Sequence, residues 1–223
     1  MQGRHELKIS IHYADYILLR NRLKYLMQRD PNVDSSGLYR VRSLYFDTPH
    51  DKALREKQDG VDAREKFRLR RYLTGNDIKL EKKSKKNGLS YKTTVNLTKQ
   101  EALSLLQQDV NWMLFDTRPL IQELYTKMKN QNLAPKTIVD YLREPFIYPT
   151  GNVRITFDRD IRSGLYSLDF FNDHLPTLPV GDEIVVLEVK YDQFLPAHLQ
   201  DILQLGNRRT SACSKYALAR IYG

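Results

Sequence analysis

Apolar and polar residues take turns along much of this chain, and the period of the alternation separates its elements. Residues 4–12, "RHELKISIH", alternate every second position and predict a strand with one apolar face. In 13–30 the apolar positions Tyr16, Leu19, Leu23, Leu26 and Met27 recur at helical spacing and predict an amphipathic helix. Turn residues make 30–37 a loop, 39–48 reads as a strand, and 51–60 reads as a short helix stopped by Gly60. Two strands follow, 62–73 and 77–86, joined by a "TGND" turn, and then a third at 89–97. Thr98 and Glu101 are spaced as a capping box at the start of a helix over 98–109, and 118–132 is a further helix. Strands are expected at 136–143, 152–160, 164–171 and 183–191, and helices at 196–206 and 211–223. No repeat, low-complexity tract or linker interrupts the series, so a single domain over 1–223 is expected.

Eight or nine strands with helices inserted between them, and no regular βαβ alternation, predict an α+β protein with a mostly antiparallel sheet. A sheet of that many strands can close into a barrel.

The charges on these strands change the picture. In "REKFRLRRY" (64–72), Arg64, Lys66, Arg68 and Arg70 share one face, while Phe67 and Leu69 take the other. The same arrangement recurs with Arg4, Glu6 and Lys8, with Lys79, Glu81 and Lys83, and with Arg154, Thr156 and Asp158. A sheet with one wet exterior face produces this alternation with nothing bound. The segment 182–191, "DEIVVLEVKY", resists that reading. It is apolar on both faces from Ile184 to Val189, yet ends in Glu188 and Lys190. Burying an ionised carboxylate without compensation costs several kcal/mol. A local Glu–Lys pair meets that requirement, and so does a metal ion with a ligand phosphate. If this face points into a closed barrel, the lumen is rich in Arg and Lys with a few carboxylates, which suits a linear polyphosphate chelated to a divalent cation.

Net charge is +9, and the segment from Arg64 to Lys92 holds eleven Lys and Arg against three Asp and Glu, which concentrates the excess and points to a polyanionic partner. No RNP, zinc-finger or helix-turn-helix pattern supports nucleic acid as that partner. One cysteine, Cys213, excludes an internal disulfide and a cysteine-based zinc site, and the five histidines lack metal-ligand spacing. No apolar run approaches the roughly 18 residues of a membrane span, and "MQGRHELKIS" lacks the apolar core of a signal peptide, so a cytoplasmic location is expected.

"HELK" near the start, "SLYFD" (43–47), "FRLRRY" (67–72), "EKKSK" (81–85), "VRITFD" (153–158), "VLEVK" (186–190) and "SKY" (214–216) occur in this order. Together they resemble the catalytic domain of the vacuolar transporter chaperone (VTC) polyphosphate polymerases, within the triphosphate tunnel metalloenzyme superfamily, from about residue 4 to 222. The resemblance implies an antiparallel β-barrel tunnel of about eight strands with helices packed outside. It implies transfer of the γ-phosphate of ATP onto a growing polyphosphate chain with a divalent cation, manganese or magnesium. The phosphate-binding residues it implies are Lys8, Arg68, Arg70, Lys83 and Lys92, together with Arg143, Arg154, Lys190 and Lys215. Lys8, Arg68, Arg70 and Arg154 would hold the triphosphate in line, beside Glu188 and Lys190 as further catalytic residues. Glu188 would be the metal carboxylate, with Glu6 as a second one or as an ion-pair partner of Arg4 or Lys8.

One departure bears on the branch. The superfamily's Glu-x-Glu-x-Lys motif on the first strand reads Arg4-His5-Glu6-Leu7-Lys8 here. Arg in place of the first Glu favours the polymerase branch over tripolyphosphatases and nucleotide cyclases. The membrane region and sensor domain of eukaryotic polymerases have no counterpart in these residues, which leaves room for a membrane partner protein. A non-catalytic polyphosphate-binding module, or a hydrolase of tripolyphosphate or nucleoside triphosphates, is the alternative.

Overall fold

A computed structural model of the protein describes residues 3–73, 75–181, 184–204 and 214–221. Thr74 of the expected turn, Cys213, and the outer ends of the segments expected at 183–191, 196–206 and 211–223 lie outside the described residues.

The strands are β1 (His5–Ile11), β2 (Gln28–Arg29), β3 (Tyr39–Asp47), β4 (Arg64–Tyr72), β5 (Ile78–Lys86), β6 (Leu89–Leu97), β7 (Ala134–Tyr148), β8 (Val153–Ser163), β9 (Leu178–Pro179) and β10 (Val185–Tyr191). The helices are α1 (Tyr13–Leu26), α2 (Lys52–Gln58), α3 (Lys99–Leu106), α4 (Pro119–Gln131), α5 (Ala197–Leu203) and α6 (Lys215–Ile221). Eight strands pair antiparallel in the order β1-β10-β8-β7-β3-β4-β5-β6, with β2 on β7 and β9 on β8. The two ends of that series meet. Arg4, beside β1, and Ser90, on β6, exchange both backbone hydrogen bonds at 3.0 Å, so the curled sheet closes on itself at one end of the seam.

Local chemistry places the elements. Asn87 and Gly88, both at positive φ, make the two-residue turn between β5 and β6, the backbone a primed hairpin turn requires. The capping box of α3 is formed: Thr98 Oγ1 accepts from the Glu101 amide at 3.2 Å, and Glu101 Oε2 accepts from the Thr98 amide at 2.6 Å. The expected strand over 164–171 is not one. Gly164 and Leu165, the latter at positive φ, turn the chain out of β8, and Leu168, Phe170, Phe171 and Leu175 pack on the core from an irregular segment. That segment is held by Arg42, whose guanidinium pairs with Asp140 at 2.7 Å and reaches the carbonyls of Phe170 and Asn172. The two-residue periodicity there reflects packing without a ladder. In contrast, β7 runs well past the expected 136–143. It passes through Pro145, which faces Thr156 on β8 and lies between the stretches paired with β3 and β2.

Two apolar layers cover the outside of the sheet. Leu44, Phe46, Phe67, Leu69 and Leu80 of β3–β5 pack under α3 and α4, and Ile9, Ile155, Phe157 and Leu187 of β1, β8 and β10 pack under α1 and α5. Each such side chain, fully withdrawn from water, contributes about 1.5–3 kcal/mol. Tyr16 and Arg20 of α1 also bind the buried Glu144 of β7, at 2.7 and 2.8 Å, which fixes the helix on the outer wall. The alternate residues of these strands point to the other side, into the curl. One helix departs from the expected exterior packing. The α6 helix lies against the inner face, where Tyr216 and Ala219 meet Tyr45, Val139, Tyr141 and Val186. Tyr216 donates to Asp47 at 2.6 Å, and Asp47 also accepts from the amides of Thr48, Ala53 and Leu54 at the start of α2. Apolar contacts and buried hydrogen bonds thus hold α6 against the inner face.

Candidate active site

The inward faces of the strands and the start of α6 enclose a cavity of about 290 Å³. Its described lining holds twelve Lys and Arg against three Glu, so the lumen is strongly cationic. Nine of the eleven expected site residues line it: Glu6, Lys8, Arg68, Lys83, Lys92, Arg143, Glu188, Lys190 and Lys215.

Register explains how they meet. Lys8 faces Glu188 across β1 and β10, and Glu188 faces Thr156 across β10 and β8. Arg143 faces Asp158 across β7 and β8, and Arg68 faces Glu81 across β4 and β5. Each carboxylate is therefore flanked by cations from neighbouring strands. Asp158 accepts two bonds from Arg143, at 2.6 and 2.8 Å, and lies 2.5 Å from Lys215 Nζ. Glu81 accepts from Arg68 Nε at 2.7 Å and lies 2.7 Å from Lys92 Nζ. Glu188 lies 2.5 Å from Lys190 and 3.7 Å from Lys8, and Lys8 also pairs with Glu6.

Burial alone would push these carboxyl groups up. The cations around them outweigh it and hold Glu6, Glu81 and Glu188 well below the usual carboxylate range. Asp158 is drawn down to about 2 by Arg143 and Lys215 against its burial. Lys83 goes the other way. Its burial, with Lys190 and Arg68 nearby, holds the ammonium well below the usual lysine range despite Glu6 and Glu188. The cavity has more cations than its carboxylates can neutralise.

Two expected residues fall outside the lining. Arg70 is buried behind Arg68, donating to the Tyr141 hydroxyl at 2.9 Å, with its Nη1 3.6 Å from Glu81. Arg154 is on the inward face opposite Lys190, but its guanidinium turns aside to Asp30 at 2.7 Å. Arg4, the residue that departs from the first-strand Glu, pairs with Asp192 at 2.7 Å beside the Arg4–Ser90 bridge that closes the seam.

The residue types alone did not mark Tyr45 and Glu81 as site residues, since buried tyrosine more often packs and a strand carboxylate more often pairs at the surface. Tyr45 is 3 % exposed and its hydroxyl accepts from Arg68 Nη1 at 3.0 Å. Burial would raise this phenol, but Arg68, Lys66, Lys215 and Arg70 bring it down to about 8. The signal that could have found both is the inward parity they share with Arg68.

Among the described residues, no three Asp, Glu, His or Cys gather as a metal cluster. Glu188 and Glu6, both paired with Lys8, are nevertheless hard oxygen donors. Glu188 Oε1 is buried without a hydrogen bond of good geometry, although Lys190 Nζ is close. One or two carboxylates with phosphate oxygens and water suffice for a hard divalent cation, so the residues present fit one.

Known folds resemble this arrangement. A candidate adenylate cyclase from Bacillus halodurans superposes with a TM-score of 0.57 at 15% identity, over 100% of this chain and 98% of that one. A candidate adenylyl cyclase from Hippeastrum with a dominant triphosphatase activity superposes with a TM-score of 0.55 at 12% identity, over 97% and 95%. A third, a candidate adenylate cyclase from Vibrio parahaemolyticus, gives 0.52 at 12% identity, over 98% and 99%. No curated protein matches the chain. These three structures share the fold, and the family model of the VTC domain matches residues 3–221, so the chain belongs to the VTC domain family.

Proposed function

We propose that this protein is a polyphosphate polymerase, which moves the γ-phosphate of ATP onto the end of a polyphosphate chain inside the cationic cavity. Membership of the VTC domain family supports an enzyme acting on a triphosphate. The observation that carries the finer reading is the charge state of the lumen. The described carboxylates in and beside it are ion-paired and held below the usual carboxylate range, which makes each a weak base towards water. Hydrolysis must activate a neutral water molecule. A terminal phosphate oxygen is already an anion and needs only to be brought in line and shielded.

In this reading Arg68, Arg143, Lys8 and Lys190 bind the phosphate oxygens and offset their mutual repulsion, and Lys83, Lys92 and Lys215 extend that field. Glu81 and Asp158 aim the guanidinium groups of Arg68 and Arg143, and Arg70 fixes Glu81 from behind. Arg154 is an outer contact that must leave Asp30 to reach the chain. An oxygen of the chain's terminal phosphate forms a bond to the γ-phosphorus as the bond to the β,γ-bridging oxygen breaks. ADP leaves and the chain is longer by one phosphate. Glu188 and Glu6 would hold a divalent cation, manganese or magnesium, which supplies further neutralisation of phosphate charge.

Incubation with ATP and manganese, with products sized on a gel, tests the reading. Long-chain product supports it. Free phosphate alone makes the protein a hydrolase, and unconsumed ATP with tight polyphosphate binding makes it a polyphosphate holder.

A further inference from the structure

Arg64 and Lys66 share the inward face of β4 with Arg68 and line the cavity, yet the transfer site described above uses neither. Their partners across β5 are also cations. Arg64 faces Lys85, Lys66 faces Lys83, and Lys83 in turn faces Lys92 on β6. Only at the next inward pair does a carboxylate appear, Glu81 opposite Arg68. Like charges directly opposite on one sheet face destabilise the pairing, and here two successive pairs are like-charged. From Arg64 to Arg68 the strand spans roughly 13 Å, at about 3.3 Å per residue.

Of the carboxylates nearby, the exposed Asp62 attracts Arg64 and Lys85 only from the surface, and each carboxylate also has other partners. Glu65 is held by Lys82 at 3.0 Å and by Lys127, and Asp62 accepts the amides of Asn87 and Gly88. Lys66 Nζ is 3.3 Å from Ser214 Oγ and lies over the Tyr45 ring, and Arg64 donates to the Val61 carbonyl. Burial and the surrounding cations bring the Lys66 ammonium down to about 8, so this arrangement disfavours its own charge in the absence of an anion.

We propose that Arg64, Lys66 and Lys85 form a track that grips the extended part of a polyphosphate chain outside the transfer site, and so set the length of chain the protein retains. The track rests on the reading of the cavity as a polyphosphate site. It differs from that reading in what it requires: affinity must depend on chain length, because the track adds contacts only for a chain long enough to run from Arg68 past Arg64 and Lys85.

Calorimetric titration of tripolyphosphate and of long-chain polyphosphate into the wild type and an Arg64→Gln/Lys85→Gln variant decides the matter. For the long chain, affinity in the variant should fall about a hundredfold, the size of losing two charge-assisted contacts at about tenfold each, while tripolyphosphate loses less than about threefold. In ATP incubations the variant should release shorter products. Equal losses for both ligands, or none for either, overturn the track. If the wild type makes no polymer, the transfer reading fails and the binding comparison still decides the track. Should the double variant fail to fold, Lys85→Gln alone, measured the same way, serves the same purpose.

Discussion

Arg68 and Glu81 stand directly opposite each other on β4 and β5, and Arg68 Nε donates to Glu81 Oε2 at 2.7 Å. Lys92 takes the other oxygen at 2.7 Å, so a single carboxylate 1 % exposed to solvent orients cations from both neighbouring strands. Replacing Glu81 by Gln keeps the shape and removes the counter-charge. Breaking a buried ion pair from one side costs about 3–5 kcal/mol, and urea unfolding should show a loss of that order. Tripolyphosphate should stabilise the variant more than the wild type, since it returns negative charge to Arg68. A variant as stable as the wild type would mean that the pair carries no weight in the fold.

Glu188 sits between Lys190 at 2.5 Å and Lys8 at 3.7 Å. In Glu188→Gln, ATP turnover with manganese should fall at least about a hundredfold, the loss expected when a group acting on transition-state charge is removed. Polyphosphate affinity should hold or rise, because one repelling charge has left the lumen. Steady-state kinetics and calorimetry on the same preparation separate the two effects. A parallel collapse of both would make Glu188 a structural partner of the lysines alone.

Tyr45 carries a pH signature. Its burial is outweighed by Arg68 and Lys66, and the phenol comes down to about 8 from an ordinary 10.0. A phenol lowered in the folded state loses its proton there first, so it adds stability as pH rises from 8 towards 10.0. The same phenolate places a negative charge among the phosphate-binding cations. Tripolyphosphate affinity should therefore weaken as pH climbs past 8, and Tyr45→Phe should flatten that decline. Near-UV absorbance reads the phenolate directly, and in the wild type its midpoint should move up when tripolyphosphate is bound.

Asp158 governs the acid side. Burial would raise its carboxyl, yet Arg143 and Lys215 hold it at about 2 against an ordinary 3.8. Stability from a carboxylate lowered in this way is complete above 3.8 and is lost as pH falls from there towards 2. Across that window the unfolding free energy of the wild type should fall more steeply than that of Asp158→Asn. Equal slopes would show that the Arg143–Asp158–Lys215 cluster does not hold the charge.

Much of this molecule was legible as strings of letters. The alternation in "REKFRLRRY" separates Phe67 and Leu69, which pack under α3 and α4, from Arg68, which reaches the lumen. Thr98 and Glu101 announce their capping box because both groups belong to one helical turn. The strand expected over 164–171 shows where such reading stops: Leu168 and Phe170 alternate with polar residues, but what holds them is Arg42, more than a hundred residues away in the chain.

Parity along a strand is a local property, set by the pleat, and so the order of residues is enough to say which side chains lie together on one face of each strand. Whether that face looks at water or at other strands is not local. It was decided by the Arg4–Ser90 closure and by the register that sets Lys8 beside Glu188 and Arg143 beside Asp158. Tertiary structure also decided that Arg154 turns to Asp30, and that Lys215, near the other end of the chain, enters the lumen on a helix packed inside. The reason is physical: the free energy of a buried charge depends on which partners arrive from distant strands, and only the closed sheet brings them within a few ångströms.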